Sequence, residues 1–147
     1  MKTLLFLFLC LVFTTNASSI AKTATVSHGF CWTVYIYNVM IDAVTVHVKS
    51  ADYDLGDHTL EFNDNENWSF CVNFWKTIVF YADFKCKGTK SVSFNVWDEF
   101  LGDDYGSGST RSAERILVWL VKDDGFYVGK NLPPFPDGMT KLYDWSH

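Results

Sequence analysis

The sequence predicts an all-β fold, an antiparallel β-sandwich of about eight strands in a single compact domain, on three observations. Apolar and polar residues alternate over short runs, most clearly where Val44, Val46 and Val48 interleave with Thr45, His47 and Lys49, the period of a half-buried strand. Aromatics make up 18% of the 147 residues within a hydrophobic content of 48%, enough to fill one core with side chains that suit a pleated surface. The three prolines fall together at Pro133, Pro134 and Pro136, which leaves the rest of the chain free to donate backbone N–H groups to a ladder.

The N-terminus reads as a leader. Lys2 precedes an apolar run from Leu4 to Phe13, and Thr15 and Ala17 occupy minus three and minus one of a cleavage after Ala17. Residues 1–17 are therefore expected to be a secretory signal peptide and 18–147 the domain, with a cut after Ala21 as the alternative. No run reaches the roughly 20 apolar residues a spanning helix needs, so export without membrane insertion is expected. Residues 18–30 are small and polar, the makeup of a frayed entry.

Strands follow at 32–39 and 43–50, joined by a short link. The acidic run 50–57 turns out of the sheet, with Gly56 as its left-handed position. A third strand at 59–62 leads through an Asn- and Asp-rich turn to a fourth at 68–74, and a fifth occupies 77–86. After a turn at 87–89 the sixth, 91–97, points Val92, Phe94 and Val96 inward. Residues 98–114 shift to Gly, Ser, Asp and Thr, the makeup of a mobile surface loop of the kind that carries recognition. The segment 115–121 is apolar on both phases, as in a strand covered on both faces or a short helix opened by Ser112, and its valines, isoleucine and tryptophan favour strand. Asp124 and Gly125 turn into a final strand at 126–129, and the aromatics of the proline-punctuated tail lie back on the sandwich.

Loss of Cys10 with the leader leaves Cys31, Cys71 and Cys86, an odd number for an oxidising compartment. Cys31 falls in the phase of Thr33, Tyr35 and Tyr37, opposite to Val34 and Ile36, and Cys71 falls with Ser69 and Asn73, opposite to Trp68, Phe70 and Val72. Cys86 continues the core phase of Phe80, Ala82 and Phe84. The phases favour a Cys31–Cys71 disulfide over the other pairings, with Cys86 a small core hydrophobe or an intermolecular handle.

Val34-x-Ile36-x-Asn38, Thr45-Val46-His47-x-Lys49-Ser50, Asp54-Leu55-Gly56-x-His58, Trp68-x-Phe70, Phe94-x-Val96, Trp119-x-Val121 and Asp124-Gly125-x-Tyr127 follow one another in this order. The combination resembles the plant self-incompatibility S-protein homologues over nearly all of residues 18–147, with His47-x-Lys49-Ser50 and Asp54-Leu55-Gly56 its most specific pieces. The resemblance implies a small secreted β-sandwich that acts as a signalling ligand for a cell-surface receptor or other extracellular protein, as the founding stigma proteins meet a pollen-side receptor. Val48, Ala82 and Leu117 stand where the family places cysteines, so its usual cross-links are exchanged for apolar packing and Cys31–Cys71 is a substitute staple.

A formal charge of −5 argues against nucleic acid and anionic membrane as partners, since phosphate affinity rests on Lys and Arg. Asp52-x-Asp54-x-Gly56 echoes a calcium loop but has Gly56 and Asn63 where oxygen ligands belong, so a turn whose carboxylates cap backbone N–H groups explains it better. His47 and His58 lie near Asp54 and Asp57, yet nothing completes a ligand set. Carboxylates at Asp98, Glu99, Asp103, Asp104, Asp123 and Asp124 sit in loop-like sequence rather than in a paired arrangement across a cleft. No catalytic, metal or cofactor set is therefore expected. Asn67-Trp68-Ser69 is a glycosylation sequon with Asn67 in the outward phase. Tyr35, Tyr37 and Trp97 also fall on non-core phases, where aromatics can anchor a protein or a sugar. The reading is a secreted, non-enzymatic ligand, and the alternative is a secreted carbohydrate-binding or wall-hydrolysing protein.

Overall fold

The computed structural model describes residues 29–73, 77–108, 114–133 and 138–146, and there the alternating segments form nine strands and one short helix. In chain order these are β1 (Phe30–Asn38), β2 (Val44–Lys49), β3 (Asp54–Leu60), β4 (Asn65–Val72), β5 (Phe80–Cys86), β6 (Lys90–Trp97), α1 (Glu99–Tyr105), β7 (Glu114–Lys122), β8 (Gly125–Gly129) and β9 (Thr140–Tyr143). One sheet has the order β4-β1-β7-β8-β9 and the other β3-β2-β5-β6. The expected leader at 1–17, the entry at 18–28 and the segments 74–76, 109–113 and 134–137 lie outside the described residues.

The sheets enclose what period two placed between them: Val34 and Ile36 from β1, Val44, Val46 and Val48 from β2, Phe80, Ala82 and Phe84 from β5, Trp119 and Val121 from β7, and Phe126 from β8, each at most 2% exposed. Burying a side chain of this size contributes about 1.5–3 kcal/mol, so the core rather than strand propensity holds the layers together. Phe94, partly buried, packs against this core, with ring centroids 5.1 Å from Phe84, 5.1 Å from Trp119 and 4.1 Å from Tyr143. Trp119 also donates its indole N–H to the Val96 carbonyl at 2.8 Å, a polar tie between β7 of one sheet and β6 of the other. Tyr143 and Trp145 of the tail do lie back on the sandwich, Trp145 against Phe126 at 4.6 Å with its N–H on the Lys122 carbonyl.

The sandwich reading holds, and several details of it change. First, every pairing is antiparallel except β1–β7, which is parallel. Parallel neighbours cannot be joined by a tight turn, and here β7 reaches β1 only after the chain has left β6 and crossed between sheets. Second, that crossing is not all loop. Asp98 caps α1 by accepting the Leu101 N–H at 2.8 Å, and Leu101 and Gly102 are buried, with Gly102 laid against the Trp32 ring.

Third, 126–129 is not the last strand, because β9 adds to the edge of β8. Fourth, Trp97 faces inward and is 1% exposed, against the non-core phase assigned to it. The register supplies the reason: Tyr81 pairs with Asn95 but Phe80 pairs with Trp97, so β6 carries one extra residue there. A bulge of this kind resets the alternation and lets Val96 and Trp97 both turn into the core.

Candidate functional site

The outward face of the four-stranded sheet collects His47, Lys49 and Asp54 of the His47-x-Lys49 and Asp54-Leu55-Gly56 pieces, while Leu55 packs against the core. β3 begins at Asp54 rather than at 59, and the turn out of the sheet is confined to 50–53, where Ser50 Oγ accepts the Tyr53 N–H at 3.1 Å. The expected left-handed glycine is correct in conformation, Gly56 having φ +77°, but it sits inside the strand. His47 pairs with Asp57 and Lys49 with Asp54, so two residues of β3 stand opposite one of β2. This bulge matters for the site, because residues three apart in a regular strand point to opposite faces. With the extra residue absorbed at Leu55 and Gly56, Asp54 and Asp57 both reach the same imidazole.

His47 thus lies between two carboxylates, its Nε2 2.5 Å from Asp54 and its Nδ1 2.9 Å from Asp57. Asp54 Oδ1 also accepts the Gly56 N–H at 2.9 Å, and that bond, followed by His47, holds its carboxyl below the usual aspartate range. Beside this group Lys49 Nζ stands 3.1 Å from Asp83, and Ser93 donates its hydroxyl to the same carboxylate at 2.5 Å. The Asp83 carboxyl is lowered chiefly by Ser93 and then by Lys49, while Asp83 raises the Lys49 ammonium. The face is a cross-strand network that ties β3, β2, β5 and β6 together in register.

Gly56→Ala is expected to cost about 1–2 kcal/mol, the penalty for a Cβ in the left-handed region, since nothing lies within 4 Å of where that Cβ would go. Urea unfolding measures the loss, and NMR titration of Asp54 should show its carboxyl moving up toward the ordinary value. The sign follows from linkage. A carboxyl lowered in the folded state adds stability above its unfolded pKa, and that contribution is lost as pH falls through the lowered value.

His58 belongs to a different surface. Its Nε2 is 2.8 Å from the Leu55 carbonyl and its Nδ1 3.2 Å from Glu66, across the open flank between the edge strands β3 and β4. Burial pushes the Glu66 carboxyl up and His58 opposes the shift. The two histidines therefore do not converge, and no group of three or more His, Cys, Asp or Glu among the described residues is arranged to hold a metal ion. A cleft of about 360 Å³ between α1 and β8–β9 has Asp104 as its lining carboxylate among the described residues.

Cys31 and Cys71 face each other across β1 and β4 and form the disulfide that phase alone favoured. Cys86 is a free, buried thiol. Val48 and Ala82 are direct cross-strand partners, both at most 1% exposed, and pack within the core.

One residue that the motif reading passed over as a site organises an entire end of the sandwich. The Asn38 side chain is fully buried and donates to the carbonyls of Asp42 at 2.9 Å, Leu60 at 2.9 Å and Glu61 at 3.4 Å, while its Oδ1 accepts the Met40 N–H at 3.0 Å. It fastens the β1–β2 and β3–β4 turns to each other. Those turns present Ile41, 87% exposed, and Phe62, 55% exposed. Asparagine at a strand end was the available signal, but its partners only become visible in three dimensions.

These features define a class: a small two-sheet β protein with one disulfide-stapled edge, a tied polar face and apolar residues exposed on braced turns. Residues 33–145 match the model of a family described as plant self-incompatibility protein S1, and the chain belongs to that family. It is similar to S-protein homolog 6 of Arabidopsis thaliana, with 30% identity over 100 residues covering 68% of each chain. It is also similar to S-protein homolog 5 of the same plant, 33% identical over 98 residues, covering 63% of this chain and 66% of that one. S-protein homolog 74 is 29% identical over 100 residues, covering 66% of this chain and 62% of its own length. No solved structure matches the chain.

Proposed function

We propose that residues 18–147 form an exported, non-catalytic ligand that is recognised by a protein on the surface of plant cells. Membership of the self-incompatibility S1 family is the observation that carries this reading. The site supports it in two ways. His47, Lys49, Asp54, Asp57 and Asp83 on the polar face are paired across strands, an arrangement that fixes a shape rather than aiming a general acid or base at a cleft. The end braced by Asn38 holds Ile41 and Phe62 exposed on turns that cannot collapse inward, and rigid apolar residues of this kind are what protein partners use as anchors. Of the three aromatics on which the polysaccharide-binding alternative leaned, Trp97 is buried, and Tyr35 and Tyr37 are half-buried.

Labelled protein is expected to bind saturably to plasma-membrane vesicles from plant cells and to be displaced by unlabelled protein. Ile41→Asp combined with Phe62→Asp should weaken that binding by about tenfold or more with the thermal midpoint unchanged. Retention on wall polysaccharide with no saturable binding to the vesicles would overturn the reading in favour of the carbohydrate-binding alternative.

A further inference from the structure

We propose that Asn67 is an N-glycosylation site whose first sugar ring lies over the Tyr35–Tyr37 ring pair; the proposal rests on the export reading above. Asn67-Trp68-Ser69 fits the acceptor pattern, in which the asparagine needs a hydroxyl two residues on and any residue but proline between. β4 is the edge strand of its sheet, and its alternation turns Asn67 and Ser69 to the outside while Trp68 points in against Phe80 at 5.4 Å. A bulky group on Asn67 therefore displaces nothing from the core.

The register then places an aromatic surface beside it. Tyr35 is the cross-strand partner of Asn67 and Tyr37 that of Asn65, and the two half-buried tyrosine rings are stacked at 6.1 Å with an 18° interplanar angle. Directly paired residues on one face have Cβ atoms about 5 Å apart, so a ring attached at Asn67 Nδ2 starts its path over Tyr35. The C–H face of a pyranose is electropositive and the face of a phenol ring electronegative, which makes the contact attractive.

The Asn67 amide already donates to Asn65 Oδ1 at 2.8 Å. It has two N–H groups, so a glycosyl group replacing one proton leaves the other for this bond. In the transfer, Nδ2 forms a bond to C1 of an oligosaccharide carried on a polyprenyl diphosphate. The C1–O bond breaks, the diphosphate departs with the electron pair, and the proton lost from Nδ2 balances the charge on the released diphosphate. Once folded, Ser69 Oγ is 2.8 Å from Thr33 Oγ1 and Cys71 is bridged to Cys31, so the transfer precedes closure of β4 onto β1.

The full chain is to be expressed in plant cells beside a version carrying a proven signal peptide in place of residues 1–17, and the exported products weighed before and after an amide-cleaving N-glycosidase. The expected result is a glycan mass on both, absent in Asn67→Gln and in Ser69→Ala. Enzymatic removal of the glycan should lower the thermal midpoint of the unsubstituted protein and leave that of Tyr35→Ser nearly unchanged. Glycan on the version with the proven signal alone would sink the native leader and uphold the sequon. Exported protein without glycan in both versions would overturn the site, and an equal midpoint shift with and without Tyr35 would overturn the stacking.

Discussion

Replacing Asn38 with alanine is expected to lower the unfolding free energy by about 3–5 kcal/mol, because it strands several buried polar groups at once. The carboxamide is 0% exposed and spends its N–H groups on carbonyls of two different turns while its oxygen takes the Met40 N–H. Alanine removes every one of these partners and leaves a void that water cannot readily enter. The backbone around it is equally committed, since Asn38 N–H donates to Asp64 and its carbonyl accepts the Asn63 N–H at 2.8 Å. Urea unfolding gives the magnitude. Asn38→Asp separates hydrogen bonding from mere size, for it keeps the shape yet turns a second acceptor toward the Leu60 and Asp42 carbonyls. That variant should be at least as unstable as alanine at neutral pH and recover as pH falls, since a carboxyl buried against backbone carbonyls folds better when protonated. Ile41→Ala on the same turn, at an 87% exposed residue, should stay within about 0.5 kcal/mol of the parent. A loss at Asn38 no larger than that control would show that the two turns hold themselves.

What the sequence made legible and what it hid separate along one physical line. Period two is local, so β2 and β6 could be read from Val44-Val46-Val48 and Val92-Phe94-Val96, and the outward phase of Cys31 and Cys71 followed from their own neighbours. Any step that depends on the partner strand was hidden. Trp97 was assigned outward because the alternation was carried unbroken to the end of its strand, whereas the irregularity opposite Phe80 that turns it in belongs to a pairing. The same holds for Asp54 and Asp57: the run 50–57 reads as a turn out of the sheet, whereas pairing with β2 makes 54–57 part of β3 and the bulge at Leu55 and Gly56 brings both carboxylates to His47. α1 reads as loop because its seven residues include Gly102 and two aspartates, poor helix formers held in place by the Asp98 cap and contact with Trp32. β9 is four residues long and gains its identity from β8 alone. Glu66 and Asp83 carry no signal in the sequence for this reason too, since what singles them out is His58 in one case and Lys49 with Ser93 in the other.

Cys31→Ser, Cys71→Ser and the double variant should each lose about 4 kcal/mol, and the double should lose no more than either single. Bridging residues 40 apart removes loop freedom from the unfolded chain, and the chain-entropy model puts that constraint at about 4 kcal/mol. Once one sulfur is gone the other contributes nothing as a staple, so the costs cannot add. The bond also acts where the sheet is weakest. β4 is an edge strand with β1 as its one ladder neighbour, and Cys31 and Cys71 face each other near the end of that ladder. Amide exchange in β4 should therefore rise more than in the central strand β7 when the bridge is removed. Reductant should reproduce the loss in the unsubstituted protein and have no effect on the serine variants. Cys86→Ala provides the opposing case: its thiol is 3% exposed among core side chains, and burial raises its pKa, so it stays a protonated hydrophobe. That variant should retain full sensitivity to reductant at a cost of about 1 kcal/mol. Sensitivity abolished by Cys86→Ala, or costs at Cys31 and Cys71 that sum in the double variant, would place the cross-link elsewhere and with it the register of the whole β1–β4 edge.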